Sequence, residues 1–327
     1  MIRTEGFRKY FKNTSWLFSE RVLRLLISLV VGVYVARYLG ESLLGKLSYA
    51  TGFIGLFFSL TGMGVDAILS RDLVKHPERR DLLLGSAAVI KLFGSLIFLV
   101  IVVGATFIKD MEPLTASLIV IIALAELFRP FGVIEFQFMA EVQARKAVHV
   151  QLGQLIVSAI VKVVLVLIEA PLIYFAWVYV LESFLLSVGY VWLYERAHHV
   201  RSWRVDRSML RYLLVQSWPM LIYSVALHFQ ARVDQVMIGD MLMSRAGEME
   251  AFSEVGQYSV ALKMIETFGF LPVVVQMSLA PAITRAKVES EELYADRLLN
   301  QYRLMFMLFL VTSIPLFLIA EPVVVLL

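Results

Sequence analysis

Nine stretches of this chain are each long and apolar enough that no single soluble core could absorb them all. With edges uncertain by several residues, they run over 14–38, 48–70, 82–108, 114–140, 148–168, 172–194, 212–238, 254–284 and 304–320. A bilayer core of roughly 30 Å is crossed by about 20 such residues in helical form. Strands are excluded, because the runs are too long and lack the alternation of a membrane barrel. Composition agrees: 59% of the residues are apolar and 17% charged, against about 45–50% and about 25% in soluble domains. The expected class is therefore an all-α integral membrane bundle.

The basic residues set the threading. Segments 1–12, 71–81, 141–147, 195–211 and 285–303 hold nineteen Lys and Arg, whereas the alternate connections hold only Lys46, Lys109 and Arg245. Positive charge is retained on the cytoplasmic side, which predicts a multi-pass protein of the cytoplasmic membrane with its N-terminus inside. The basic-then-apolar start resembles a signal peptide. However, its apolar part carries Arg37 and lacks a small-x-small cleavage site, so it reads as a retained first span. The basic segment 195–211 divides the chain. Residues 1–197 form an expected first lobe of six spans, 198–211 a cytoplasmic linker, and 212–327 an incomplete second lobe of three spans. Segment 285–303, mixed in sign, suits an amphipathic interfacial helix leading into the ninth span.

The lobes are read as copies because one pattern occurs twice. An apolar helix is expected to end at Leu39-Gly40-Glu41 and again at Ile238-Gly239-Asp240. A connection follows, four residues long in one copy and sixteen in the other. A Gly-x-x-Ser-x-Ala then opens the next helix: Gly45, Ser48 and Ala50, then Gly256, Ser259 and Ala261. Beyond those glycines, Ile54, Phe57 and Leu60 fall level with Ile265, Phe268 and Leu271. Duplicated membrane bundles are the ground plan of many transporters. If the second copy were full, it would carry six spans, so about three helices are expected to be missing.

Charges within spans are costly and tend to face a bundle interior or a wet cavity. Arg21 and Arg24 share a face of the first span; they either snorkel to the inner headgroups or line an inward-open cavity and grip phosphate, which guanidinium does through paired hydrogen bonds. Glu126 with Arg129, and Lys263 with Glu266, are three apart and read as internal salt bridges or as cavity pairs. Lys91 and Lys162 read as isolated membrane cations lining a cavity. Arg232, Asp234 and His228 form a polar cluster, Arg232 and Asp234 bonding to other helices. Glu182 and Asp66 are candidate proton or cation sites, or else packing and helix-end residues. Pro130, Pro219, Pro272 and Pro315 are expected to kink their spans.

Enzyme chemistry finds no support. There is no P-loop, HExxH or dinucleotide glycine pattern, the five histidines show no metal spacing, and there is no cysteine for thiolate chemistry. No catalytic residue, metal or cofactor is expected. With no ATP site, uphill work would draw on an ion gradient or on the disposal of the substrate.

Ala36–Phe53, ARYLGESLLGKLSYATGF, resembles the first hairpin of bacterial polysaccharide exporters, as do Arg232–Asp240, RVDQVMIGD, and Val255–Lys263, VGQYSVALK. These are the Wzx-type O-antigen and repeat-unit flippases of the MOP superfamily, which also holds the MATE drug exporters. The resemblance implies a MATE-like fold of two six-helix lobes around a central cavity. It also implies alternating access, carrying an undecaprenyl-pyrophosphate-linked oligosaccharide from the inner to the outer leaflet. The substrate and the membrane lipids are then its partners, together with the polysaccharide polymerase and ligase, and no nucleic acid. The cationic cavity of such a fold would be lined here by Arg21, Arg24, Lys91, Arg129, Lys162 and Lys263. Ion coupling would fall to Asp66, Glu126, Glu182, Asp234 or Glu266. The competing readings are a MATE-type multidrug or cation antiporter, a membrane enzyme of the same pathway, and an inactive truncated product.

Overall fold

The computed structural model describes residues 2–269 and 290–318, with isolated positions between them. Among these residues every regular element is helical and no strand occurs. Residues Met1–Gly256 and Gln257–Leu327 form two compact units. Among the described residues, five stretches are long and apolar enough to cross a membrane: Phe18–Phe57, Pro77–Ile108, Pro113–Ala140, Ala144–Leu167 and Leu172–Glu195. The chain is a multi-pass membrane protein.

Helix α1 (Ile2–Phe57) contains one non-helical residue, Gly40, at φ 68° and ψ 173°. This left-handed backbone suits glycine, because a Cβ would be strained there. The four residues expected to form the connection after Gly40 are therefore helical, and two helical stretches meet at a single kink. The second copy differs as well. Helix α9 (Arg207–Met243) runs straight through Gly239 instead of ending there. Gly239 serves packing, not capping: a Cβ would stand 2.7 Å from the Tyr49 ring. Helix α10 (Glu248–Phe268) then begins at Glu248, so the connection is much shorter than the sixteen residues expected.

The second expected span is broken. Helix α2 (Ser59–Gly62) and helix α3 (Val65–Lys75) are separated by Met63 and Gly64, both left-handed. A Cβ on Gly64 would lie 2.5 Å from the Leu221 nitrogen, so α9 passes directly over the break. Helix α4 (Arg80–Ile108) is continuous. The fourth span is composite: α5 (Pro113–Leu124), a 3-10 stretch (Ala125–Gly132) containing Pro130, and α6 (Val133–Ala140). Proline lacks the N–H that an α-helix needs, and the tighter 3-10 winding accommodates it. Helices α7 (Ala144–Leu167) and α8 (Leu172–Glu195) complete the first six spans. Asp206 caps α9 by accepting from the Ser208 backbone N–H at 3.0 Å.

The second unit holds the end of α10 and helix α11 (Glu291–Leu318), which joins the expected interfacial segment to the ninth span without a break. Most of the later part of the eighth span, with Leu271, lies outside the described residues, as does the apolar chain end after Leu318.

Two apolar cores form within the first unit. One gathers Leu39, Tyr49, Phe53, Phe98, Leu118, Phe175, Val236 and Phe252. The other gathers Val65, Leu69, Leu84, Val133, Phe138, Tyr190, Tyr194 and Leu213. On α4 the residue Lys91 falls between members of the two cores. The same holds for Glu126 on the composite span and for Glu182 on α8. Sequence order thus places a charged belt between two apolar plugs.

Candidate functional site

The belt is made of ion pairs. The Arg24 Nε donates to Glu20 Oε1 at 2.6 Å, one helical turn back. The Arg129 Nε donates to Glu126 Oε2, also at 2.6 Å. Three residues per turn in the 3-10 stretch place positions 126 and 129 over one another, so the irregular winding builds this pair. The Lys162 ammonium donates to Glu182 at 2.8 Å, joining α7 to α8. Lys91 pairs with Asp66 at the start of α3, beside the Phe136 ring at 5.3 Å. Lys91 and Lys162 are therefore not isolated cations, as the sequence suggested: each is held by an acid assigned to a different role.

Exposure separates the pairs. The Arg24 side chain is 40% exposed and Glu20 only 7%; Arg129 is 39% exposed and Glu126 10%. In both, a buried carboxylate holds the guanidinium by Nε. Among the described residues, neither guanidinium makes a further hydrogen bond through Nη. Arg129 also stacks on Phe58, 3.8 Å from the ring centroid, and His228 packs against the same ring at 5.2 Å. A planar cation fixed from behind and stacked on a ring presents its two NH2 groups in one direction, which suits a phosphate. The Lys91–Asp66 pair is the reverse, with the lysine 4% and the acid 43% exposed.

The other expected residues are placed less centrally. Arg21 is exposed, whereas Arg24 is partly buried against Glu20. Asp234 accepts from the Gln235 backbone N–H at 2.8 Å. The Arg232 stem lies where a Cβ on Gly55 would stand, at 2.8 Å. Lys263 and Glu266 share a face of α10, in the second unit.

Two features escaped the sequence reading. The first is Glu135 on α6. Tyr190 donates to its Oε2 at 3.0 Å, Gln151 donates to its Oε1 at 3.0 Å, and Gln151 also reaches the tyrosine oxygen at 3.0 Å. Both of these partners are neutral, whereas Glu20, Asp66, Glu126 and Glu182 each face a cation. Glu135 lies in an apolar run without a basic residue beside it to draw attention, whereas Glu20 was missed although Arg21 and Arg24 stand one and four residues on.

The second feature ties the two copies of the repeat together. Lys46 bridges Glu112 at 2.9 Å and Glu248 at 2.8 Å. Lys109 pairs with Asp240, and the Tyr49 hydroxyl donates to that aspartate at 2.7 Å. Ser253 donates to Glu41 at 2.6 Å. Lys46 and Lys109, two of the sparse cations of the alternate connections, thus help to fasten α1 to α9 and α10.

Comparison with known proteins bears on this arrangement. A family model described as polysaccharide biosynthesis protein matches residues 10–266. No curated protein sequence matches. A solved structure is similar, described as the inward-facing conformation of a multidrug resistance MATE family transporter of the MOP superfamily. It aligns with a TM-score of 0.66 over 93% of this chain and 72% of that one, at 15% identity. At that identity the likeness is one of fold.

Proposed function

Since the chain belongs to the polysaccharide biosynthesis protein family and has the fold of a MOP-superfamily transporter, we propose that it is a flippase. Its cargo would be an undecaprenyl-pyrophosphate-linked oligosaccharide, carried from the inner to the outer leaflet of the cytoplasmic membrane by alternating access. The basic connections would face the cytoplasm, with 1–197 and 212–327 acting as the two lobes. Polysaccharide polymerase and ligase would receive the product.

The observation that carries this reading is the paired anchoring of Arg24 and Arg129. Each is held through Nε by a buried acid and keeps its outer edge exposed. A pyrophosphate bound there gains charge-assisted hydrogen bonds from pre-oriented guanidinium groups. Binding also weakens the hold of each arginine on its acid. A carboxylate left unpaired in the membrane then favours taking up a proton, which couples anion capture to proton movement. The prenyl tail would remain in lipid while the sugars cross among polar side chains.

The half-exposed Asp66 also suits an organic cation, which keeps a multidrug antiporter as the second reading. The two part on one experiment: surface glycan is measured in cells that depend on this chain, carrying Arg24→Gln, Arg129→Gln or Arg129→Lys. The flippase reading expects a loss of about tenfold or more for each, the scale of a lost charged hydrogen bond. Lysine should not rescue, because it lacks the planar fork. Unchanged surface glycan with altered drug resistance would favour the antiporter.

A further inference from the structure

Away from the ion-pair belt, α7 and α8 enclose an open groove of about 640 Å³. Lys146, His149, Val150, Gly153, Gln154 and Val157 line one wall. Their spacing of three and four residues is a single stripe along α7. The opposite wall comes from α8, through Leu185, Gly189, Trp192 and Leu193. Gly189 lets the helices approach: a Cβ there would stand 2.5 Å from Val150.

The groove is graded along its length. Its mouth holds Arg145, Lys146 and His149, in the first turns of α7. The mouth is shaped by rings: Arg145 lies 5.4 Å from the Trp16 centroid, His149 packs on Trp16 at 5.3 Å, and Lys146 lies 5.4 Å from Phe138. On the other wall Arg196 stacks on Trp192 at 3.7 Å. Roughly 8 Å deeper than His149, at 1.5 Å per residue, comes Gln154. It is only 6% exposed, yet it lines the groove and makes no hydrogen bond among the described residues. The amide of this largely buried side chain is thus left open to a groove occupant. Beyond it the wall is apolar, as at Val157.

We propose that this groove binds an anionic glycerophospholipid of the leaflet facing the basic connections. The phosphate would sit among Arg145, Lys146 and His149, an ester carbonyl would accept from the Gln154 amide, and an acyl chain would lie along Val157 and Leu185. Phosphate, ester and alkyl chain occur in that order in such a lipid, and the groove offers cation, amide and apolar wall in the same order. Gln154 discriminates the occupant, because a prenyl phosphate has no carbonyl at that depth.

The full chain, extracted in mild detergent from membranes containing phosphatidylglycerol and phosphatidylcholine analogues, would be weighed intact by mass spectrometry with its retained lipid. One retained phosphatidylglycerol is expected. Arg145→Gln and Lys146→Gln should each lower retention about fivefold, the scale of one cation at an anionic surface. Gln154→Leu should weaken retention while leaving the preference for an anionic headgroup intact. A swap of Arg145→Lys with Lys146→Arg should retain lipid and shows that the fold is undisturbed. Equal retention of both headgroups, indifference to all three single variants, or a retained prenyl phosphate in place of the diacyl lipid would each overturn the assignment. The readout does not involve glycan transport, so it stands or falls apart from the flippase reading.

Discussion

Gly45 and Gly256 face one another's helices in a reciprocal crossing. A Cβ on Gly45 would fall 1.7 Å from the Phe252 carbonyl oxygen, and one on Gly256 would fall 2.3 Å from that of Glu41. Phe252 is four residues before Gly256, and Glu41 four before Gly45, so each glycine meets the residue one turn ahead of the other. The repeated Gly-x-x-Ser-x-Ala is thus a self-complementary contact between the two copies, of the small-residue kind that lets membrane helices touch.

Gly45→Ala or Gly256→Ala should therefore separate α1 from α10 at this crossing, because the obstacle is backbone and cannot rotate away. Overpacking of this kind costs about 1–3 kcal/mol. The chain has no cysteine, so Glu41→Cys with Ser253→Cys can be joined by a short bifunctional maleimide without background. Cross-linking should be efficient in the otherwise native chain and fall severalfold when either alanine is added. Undiminished cross-linking would mean the crossing tolerates a methyl.

Lys91 and Asp66 should respond unequally to neutralisation. Asp66→Asn leaves a 4% exposed lysine without its acid, whereas Lys91→Met leaves an acid that is already 43% exposed. Breaking a buried pair costs about 3–5 kcal/mol when the remaining charge stays buried. Thermal unfolding in detergent should show the asparagine variant as the less stable, with the double variant recovering most of the loss. Equal midpoints for the two single variants would place both groups in water.

Asp72 gives a pH dependence outside the spans. Burial alone would push its carboxyl up, but donation from Arg71 at 2.7 Å and Tyr212 at 3.0 Å outweighs it and holds the group below the usual range. A depressed value in the folded state means that its stabilisation is fully present above the unfolded value of about 3.9. That stabilisation is lost as pH falls through the folded value. Acid titration of unfolding should show this loss in the native chain and a flatter profile in Asp72→Asn.

Much of this was legible in residues, but roles were less so than places. Long apolar runs and alternating basic connections give the helical class, because a membrane leaves the backbone few ways to satisfy its hydrogen bonds. Gly40 and Gly239 look alike in sequence, yet one supplies a left-handed kink and the other a gap for Tyr49. Which of the two holds depends on the neighbouring helix, and local pattern carries no record of it. Asp66 and Lys91 are 25 residues apart, so their pairing is equally hidden, whereas the spacing of Glu126 and Arg129 makes their contact legible but not its role.

Glu135 supplies the last prediction. Its hydrogen bonds come from Tyr190 on α8 and Gln151 on α7, both neutral. Lys91 on α4 and Glu20 on α1 both act on it from other elements, and they are opposite in sign. Glu20, Asp66, Glu126 and Glu182 are each paired with a cation, whereas the hydrogen-bond partners of Glu135 among the described residues are neutral. A carboxyl between spans with neutral partners is a natural place for a proton to be held and released. Glu135→Gln keeps an acceptor for Tyr190 and removes the titrating group. The variant should therefore keep its thermal midpoint and, on the proposed proton-coupled flippase function, flatten the dependence of glycan export on external pH. If export in Glu135→Gln kept the native pH profile, the proposed coupling proton would have no place on Glu135, and Glu20 and Glu126 would be the next groups to neutralise.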